Sequence, residues 1–329
     1  MTALAWGGAI AAQLALGLWL ANAWGLADPA CTSWCRLGSW AGVSLFAIVG
    51  VQLAFAAITT LVAAATPDAS ENARSSSHAT AGPAAAARRL WVVFHEAGAF
   101  AFAQVLMALE PLLTRSWRDS GVSGKAPVLL IHGIYCNRAV WWQLRRRLLA
   151  AGAGPILAIN LEPAGAAIDT HMPVVRRALE RLQALVPNGS ITIVAHSMGG
   201  LVARGVCLAA ARGAPPVARI VTIATPHYGS RHAWLCVSGA CREMRPGSAW
   251  LRRLQSAETH TEIVAIHSVD DNLVAPRSSA VLLGARSIAF RALGHFGLLW
   301  SRAVAASIVA ELAAPAVGGA ARVADSQPV

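Results

Sequence analysis

Hydrophobic positions fall into three patterns along this chain. Residues 1–27 and 37–67 hold no charged side chain, and each run exceeds the roughly 20 apolar residues that cross a bilayer core. The pattern predicts two membrane helices, over residues 3–24 and 40–64, with Trp19, Trp24, Trp34 and Trp40 near the interfaces. Ala21-Asn22-Ala23 also resembles a signal-peptide cleavage site, but no Lys or Arg precedes the apolar stretch. Residues 66–87, rich in Ala, Ser and Pro and without apolar period, read as a flexible linker. Residues 90–113 are apolar again, interrupted by His95, Glu96, Gln104 and Glu110. Glu96, Ala103 and Glu110 recur at a heptad interval and draw a narrow stripe along one side of a helix. Each carboxylate would cost about 3 kcal/mol at a bilayer centre. The helix is therefore expected to lie on the membrane or to dock on the domain that follows.

From Lys125 the pattern changes to short apolar strands alternating with helices, the signature of a parallel sheet covered on both faces. Strands are expected at 128–131, 155–160, 191–195, 219–224, 262–268 and 287–290. Helices are expected at 137–150, 173–186, 201–211, 248–254 and 298–312, and residues 315–329 read as a frayed tail. No internal repeat is present.

Chemistry concentrates where the third of these strands meets its helix. Ile191-Thr-Ile-Val-Ala195 breaks at His196-Ser197-Met198-Gly199-Gly200, and the strand, sharp turn and helix together form the context in which a serine becomes a nucleophile. Ser197 would stand above the sheet, with the open N–H groups of the helix start offered to a developing oxyanion. Ala195 occupies the first position of the usual G-x-S-x-G pattern, where another small residue fits the same tight crossing. The N–H of Met198 is one expected oxyanion donor. The second comes from the loop after the first strand, His132-Gly133-Ile134, which nominates the N–H of Ile134. A serine hydroxyl needs a base. Among ten histidines, His295 follows Ser197 in the chain and sits in a Gly-flanked loop before the last helix. An orienting carboxylate should fall between the two, and Asp270 and Asp271 are both candidates.

Composition locates the excess of apolar residues at the N-terminus: 56% of the chain is hydrophobic, 13% is charged and the mean hydropathy is +0.51. A net charge of +11, with Arg145, Arg146 and Arg147 in series, reads by default as a solvated helix face and could also attract anionic lipid headgroups. Nucleic acid is a poor fit, since no reading motif accompanies the charge. Six cysteines divide into Cys31/Cys35, Cys236/Cys241 and the lone Cys136 and Cys207. The pairs could bridge only in an oxidising compartment, and no spacing suggests a metal. No cofactor is expected. Residues 230–247, with Trp234 and Leu235, read equally as a lid over an acyl pocket or as a packed loop.

The pieces Ile131-His-Gly-Ile134, Ala195-His-Ser-Met-Gly-Gly200, Thr225-Pro-His-Tyr-Gly-Ser230, Asp271-Asn-Leu-Val274 and Gly294-His-Phe-Gly-Leu-Leu299 together resemble the bacterial lipases of the α/β-hydrolase fold. Asn137-Arg-Ala-Val-Trp-Trp142 and Leu161-Glu-Pro163 resemble a membrane-anchored proteobacterial subgroup. The resemblance spans roughly residues 125–312. It implies an α/β-hydrolase fold (mostly parallel sheet, helices on both faces), preceded here by transmembrane helices that secreted lipases lack. It further implies Ser197 as nucleophile, His295 as base, Asp271 rather than Asp270 as the orienting acid, and Ile134 and Met198 as oxyanion donors. The activity implied is serine hydrolysis of lipid or other acyl esters through an acyl-enzyme. The alternatives are an acyltransferase with the same triad, or a non-catalytic membrane interaction protein that keeps the fold. The division expected is a two-helix anchor (1–67), a linker with an apolar helix (68–124), a catalytic domain (125–313) and a tail (314–329). The expected location is a bacterial inner membrane, with the positive-inside rule placing the catalytic domain in the cytoplasm on the strength of Arg74, Arg88 and Arg89.

Overall fold

A computed structural model describes residues 2–23, 33–66, 82–117, 126–187, 189–210, 216–256 and 261–315. Two long helices come first, α1 (Thr2–Ala23) and α2 (Ser33–Ala64), then α3 (Pro83–Ala108). All three are long and apolar enough to cross a membrane. Most of the expected linker, residues 24–32 with Trp24 and Cys31, and most of the expected tail lie outside the described residues.

Six strands follow: β1 (Val128–Ile131), β2 (Ile156–Ile159), β3 (Ile191–His196), β4 (Val217–Ile223), β5 (Glu262–Ser268) and β6 (Arg286–Phe290). They form one sheet in the order β2-β1-β3-β4-β5-β6, every neighbouring pair parallel. Both faces of such a sheet must be covered, so its central strands read as continuous apolar runs. β1 and β3 are accordingly buried at every position. Alternate residues feed two cores. Leu129, Ile131 and Ile193 pack on one side against α5 (Ile168–Leu185) and α6 (Met198–Leu208), which follow α4 (Trp142–Ala150) in the chain. Val128, Leu130 and Val194 pack on the other side with Leu144 and Leu148 of α4. Two further helices, α7 (Ala249–Gln255) and α8 (Arg302–Ala313), complete the covering layers among the described residues.

Several boundaries differ from the sequence pattern for local reasons. Residues 137–150 do not form one helix: the Asn137 side chain accepts from Ala139 N at 3.1 Å and caps a separate turn, Arg138–Trp141, before α4 begins. Pro173, at home in the first turn of a helix, instead lies inside α5, which starts at Ile168. The last helix breaks at Ser301, whose hydroxyl caps Val304 N at 3.3 Å.

The position of α3 explains its polar stripe. Ala99, Ala103 and Met107 belong to the second core of the sheet domain, so the helix docks rather than standing apart from it. Glu96 on α3 and Glu110, which opens a separate short helix (Glu110–Leu113) after a break at Leu109, both meet protein donors. Glu96 accepts from Phe296 N (2.7 Å) and Gly297 N (3.0 Å), and Glu110 pairs with Arg138 Nε at 2.6 Å. Against α3 lie α1 and α2, tied together by a buried amide cluster in which Gln52 Nε2 donates to Gln104 Oε1 (2.9 Å) and Gln13 Oε1 (3.2 Å). Polar side chains of this kind join helices in an apolar surrounding.

Candidate active site

The C-terminal ends of parallel strands open onto the crevice where ligands of α/β sheets bind, and the expected site residues gather there. Ser197 follows β3 with φ 53° and ψ −126°, a conformation costly for a residue with a side chain and held only by its surroundings. The close approaches around it require glycine. A Cβ on Gly199 would lie 2.6 Å from the carbonyl oxygens of Ile131 and His132, and one on Gly133 would lie 2.9 Å from Ser197 Cβ. Gly200 abuts Thr225 in the same way, whose hydroxyl donates to Ser197 O at 2.9 Å. Gly200→Ala is therefore expected to destabilise the full chain by about 1–3 kcal/mol through overpacking, read as a lowered melting temperature in detergent. An unchanged melting temperature would contradict so close a crossing.

The 132–134 loop thus presses against Ser197 and brings the Ile134 amide to the same cavity. Among the described residues, no carbonyl or side-chain acceptor engages the N–H of Ile134 or of Met198. Both N–H groups are thus without a protein acceptor among these residues.

Asp271 and His295 form a buried pair, Nδ1 to Oδ2 3.0 Å, with exposures of 0% and 3%. A carboxylate only accepts, so Nδ1 carries the proton and Nε2 of the neutral ring is left as an acceptor. Burial would raise the Asp271 carboxyl, but the charge and hydrogen bond of His295 and the N–H groups of Val274 and Leu273 hold it below its ordinary value. Burial pulls His295 down; the charge and hydrogen bond of Asp271, with the charge of Glu96, outweigh it and hold the ring above its ordinary value. Asp270 faces elsewhere, accepting from Arg88 Nε (3.2 Å) and Ala292 N (2.8 Å). Ser197 and His295 line one cavity without a hydrogen bond between them, as is common before substrate tightens a site.

The other histidines attached to motifs are structural. His132 accepts from Leu161 N at 3.0 Å, and burial pulls it down to about 4. His227 lies between Arg204 Nη1 and Thr222 Oγ1, each at 3.2 Å. His196 lies tilted against His295 with ring centroids 4.6 Å apart and is held well below its ordinary value by burial and by that neighbour.

The sequence pattern left several contributors unnamed. Asn272 Oδ1 accepts from His295 N at 3.0 Å, and its Nδ2 donates to Thr59 Oγ1 of α2 at 2.7 Å. Glu96 holds the next two amides of the His295 turn. Asn272 sits inside a quoted motif and Glu96 stood out as a charge in an apolar run, but Thr59 carries no sequence signal. Residues 230–247 pack as two short helices, Arg231–Leu235 and Gly239–Glu243, joined by a Cys236–Cys241 disulfide; Ala233, Leu235 and Met244 line the cavity. Cys136 and Cys207 are free. No group of metal-binding residues occurs among the described residues.

With this geometry, the chain has an α/β-hydrolase-like fold, a parallel sheet with flanking helices. A sequence profile of the family described as "PGAP1-like alpha/beta domain" matches residues 163–234, which include Ser197. Among solved structures, the chain is similar to the Bacillus licheniformis lipase BlEst2 in mature form, at 15% identity and TM-score 0.51, over 59% of this chain and 94% of that one. It is also similar to Aspergillus fumigatus lipase B, at 19% identity and TM-score 0.53, over 62% of this chain and 55% of that one. No curated protein matches the sequence. At these identities the likeness is one of fold.

Proposed function

We propose that the protein is a membrane-anchored serine hydrolase of carboxylic esters, with Ser197 as nucleophile, His295 as base, Asp271 as orienting acid, and Met198 and Ile134 as oxyanion donors. The observation that carries this reading is the buried Asp271–His295 pair opening onto the cavity of a serine held at positive φ. His295 Nε2 takes the hydroxyl proton as Ser197 Oγ bonds to the ester carbon, and the two amides receive the negative oxygen. Collapse breaks the ester C–O bond, and the departing alcohol takes the proton from His295. Water then repeats the sequence on the acyl-enzyme, releasing the carboxylic acid and restoring Ser197.

Helices α1 and α2 serve as the anchor in a bacterial inner membrane, and α3 belongs with the catalytic domain on whose core it packs. For the side of the membrane, the Cys236–Cys241 disulfide argues for an oxidising compartment. That outweighs Arg74, Arg88 and Arg89, because long domains cross largely regardless of charge. The test of the activity is hydrolysis of p-nitrophenyl esters, butyrate to palmitate, by the full chain in detergent. Ser197→Ala is expected to lose on the order of 10⁴-fold or more in kcat. A mutant that retains the wild-type rate would overturn the reading.

A further inference from the structure

The cavity at Ser197, about 310 Å³, is not closed by the sheet domain alone: Trp6 of α1, Phe55 and Thr59 of α2 and Phe100 of α3 line it together with Ser197 and His295. Their aromatic rings make a continuous wall. Phe55 stacks on Phe100 at 4.4 Å between centroids, Trp6 meets Phe100 edge-on at 6.0 Å, and Phe100 reaches Phe296, beside His295, at 5.1 Å. The wall is also fastened to the catalytic loops. Trp6 Nε1 donates to the carbonyl of Tyr135, next to Ile134, at 2.8 Å, and Thr59 O accepts from His232 Nε2 at 3.2 Å.

The membrane helices cover the site with one end and keep enough length beyond it to cross. From Leu37 to Phe55 α2 has no charged residue and rises about 27 Å. From Trp6 to Ala23 α1 rises about 26 Å, close to the roughly 30 Å of a hydrocarbon core. Leu14, Leu18, Leu45 and Val49, in those stretches, are exposed, as lipid-facing residues would be. A bilayer crossed by both helices would on these lengths meet the cavity near its surface. Its rim includes Leu235, 73% exposed, flanked by the exposed Trp234 and Val237. A rim of exposed apolar side chains next to α2 is costly in water and favourable against lipid.

We propose that the α1–α2 hairpin is the acyl-binding wall of the enzyme as well as its anchor, and that the substrate is a long-chain acyl ester drawn from the bilayer, its chain lying along Trp6, Phe55 and Phe100. This rests on the hydrolase reading above and adds the substrate class. The volume is at the low end for ligand pockets and suits a single chain, the rest of the lipid remaining in the membrane.

The experiment measures kcat/KM for p-nitrophenyl butyrate and palmitate with the full chain in detergent micelles. Phe55→Trp fills the wall and is expected to lower the palmitate-to-butyrate ratio about tenfold or more, the scale of a methylene-sized misfit. Phe100→Leu trims the wall from α3, tests it should the Phe55 variant fail to fold, and is expected to raise the ratio. Leu61→Ala, on the exposed face of α2, should keep the wild-type ratio. A ratio unchanged by both wall substitutions, with Ser197-dependent turnover intact, would overturn the wall and leave the hydrolase standing. Absence of Ser197-dependent turnover on either ester would overturn the hydrolase reading and the wall with it.

Discussion

Asp271→Asn is expected to lower kcat on the order of 10³–10⁴-fold, the scale seen when the acid of a serine triad is neutralised, while Asp270→Asn should cost less than about tenfold. The two side chains are adjacent in sequence and opposite in circumstance. Asp271 is fully buried, fixes Nδ1–H of His295 and accepts from Leu273 N and Val274 N at 2.8 and 2.9 Å. An asparagine there offers an N–H₂ group or a neutral oxygen to the ring, so the base loses its tautomer and its counter-charge. Asp270 holds a partly exposed Arg88 and one backbone amide, and an asparagine oxygen can still accept from Ala292 N. The pH profile adds a second readout. His295 must be neutral to act, and its pKa is raised chiefly by Asp271 against the opposing effect of burial. Wild-type activity should thus fall with acidification through a pKa above the ordinary histidine value. In Asp271→Asn the residual activity should persist to lower pH. Equal losses in the two variants, or an unmoved acid limb in Asp271→Asn, would contradict the assignment.

What the sequence made legible follows from how strongly each residue is constrained locally. The strands stand out because a parallel sheet buried on both faces demands unbroken apolar runs such as Val128-Leu-Leu-Ile131. The turn at Ser197 stands out because glycine is needed where α6 passes the carbonyls of Ile131 and His132. Helices α1 and α2 carry no such direction. They are apolar on every side, whether a side faces lipid or protein, so nothing in the pattern singled out Phe55 or Trp6 as facing the cavity. For the same reason the pattern gave no sign that Thr59 reaches Asn272 beside Asp271. Where a polar group interrupted the apolar run it was informative: Glu96 and Glu110 argued for docking over a free crossing, and each has its donor on the sheet domain.

Glu96→Ala is expected to reduce kcat about 10²-fold with a smaller change in KM, because it loosens the turn that carries the base. The carboxylate is fully buried and accepts from Phe296 N and Gly297 N, while Asn272 holds His295 N from the opposite side. Gly294 completes the clamp, since a Cβ there would meet the Glu96 carboxylate and, at 2.9 Å, Asn272 Oδ1. Removing Glu96 leaves two buried amides without an acceptor, at about 1–3 kcal/mol each, and a displacement of about 1 Å in a reacting group is enough for the loss in rate. Glu96→Gln keeps one acceptor oxygen and should fall between the wild type and Glu96→Ala in both stability and kcat. The charge supplies the discriminating measurement. Burial pushes the Glu96 carboxyl up to about 7, so only the fraction ionised near that pH raises His295, and both substitutions should move the acid limb of the pH profile downward by a small amount. A residue that merely fills space would lower the melting temperature and leave that limb in place. Wild-type kcat and an unmoved limb in Glu96→Ala would show that α3 does not act on the base.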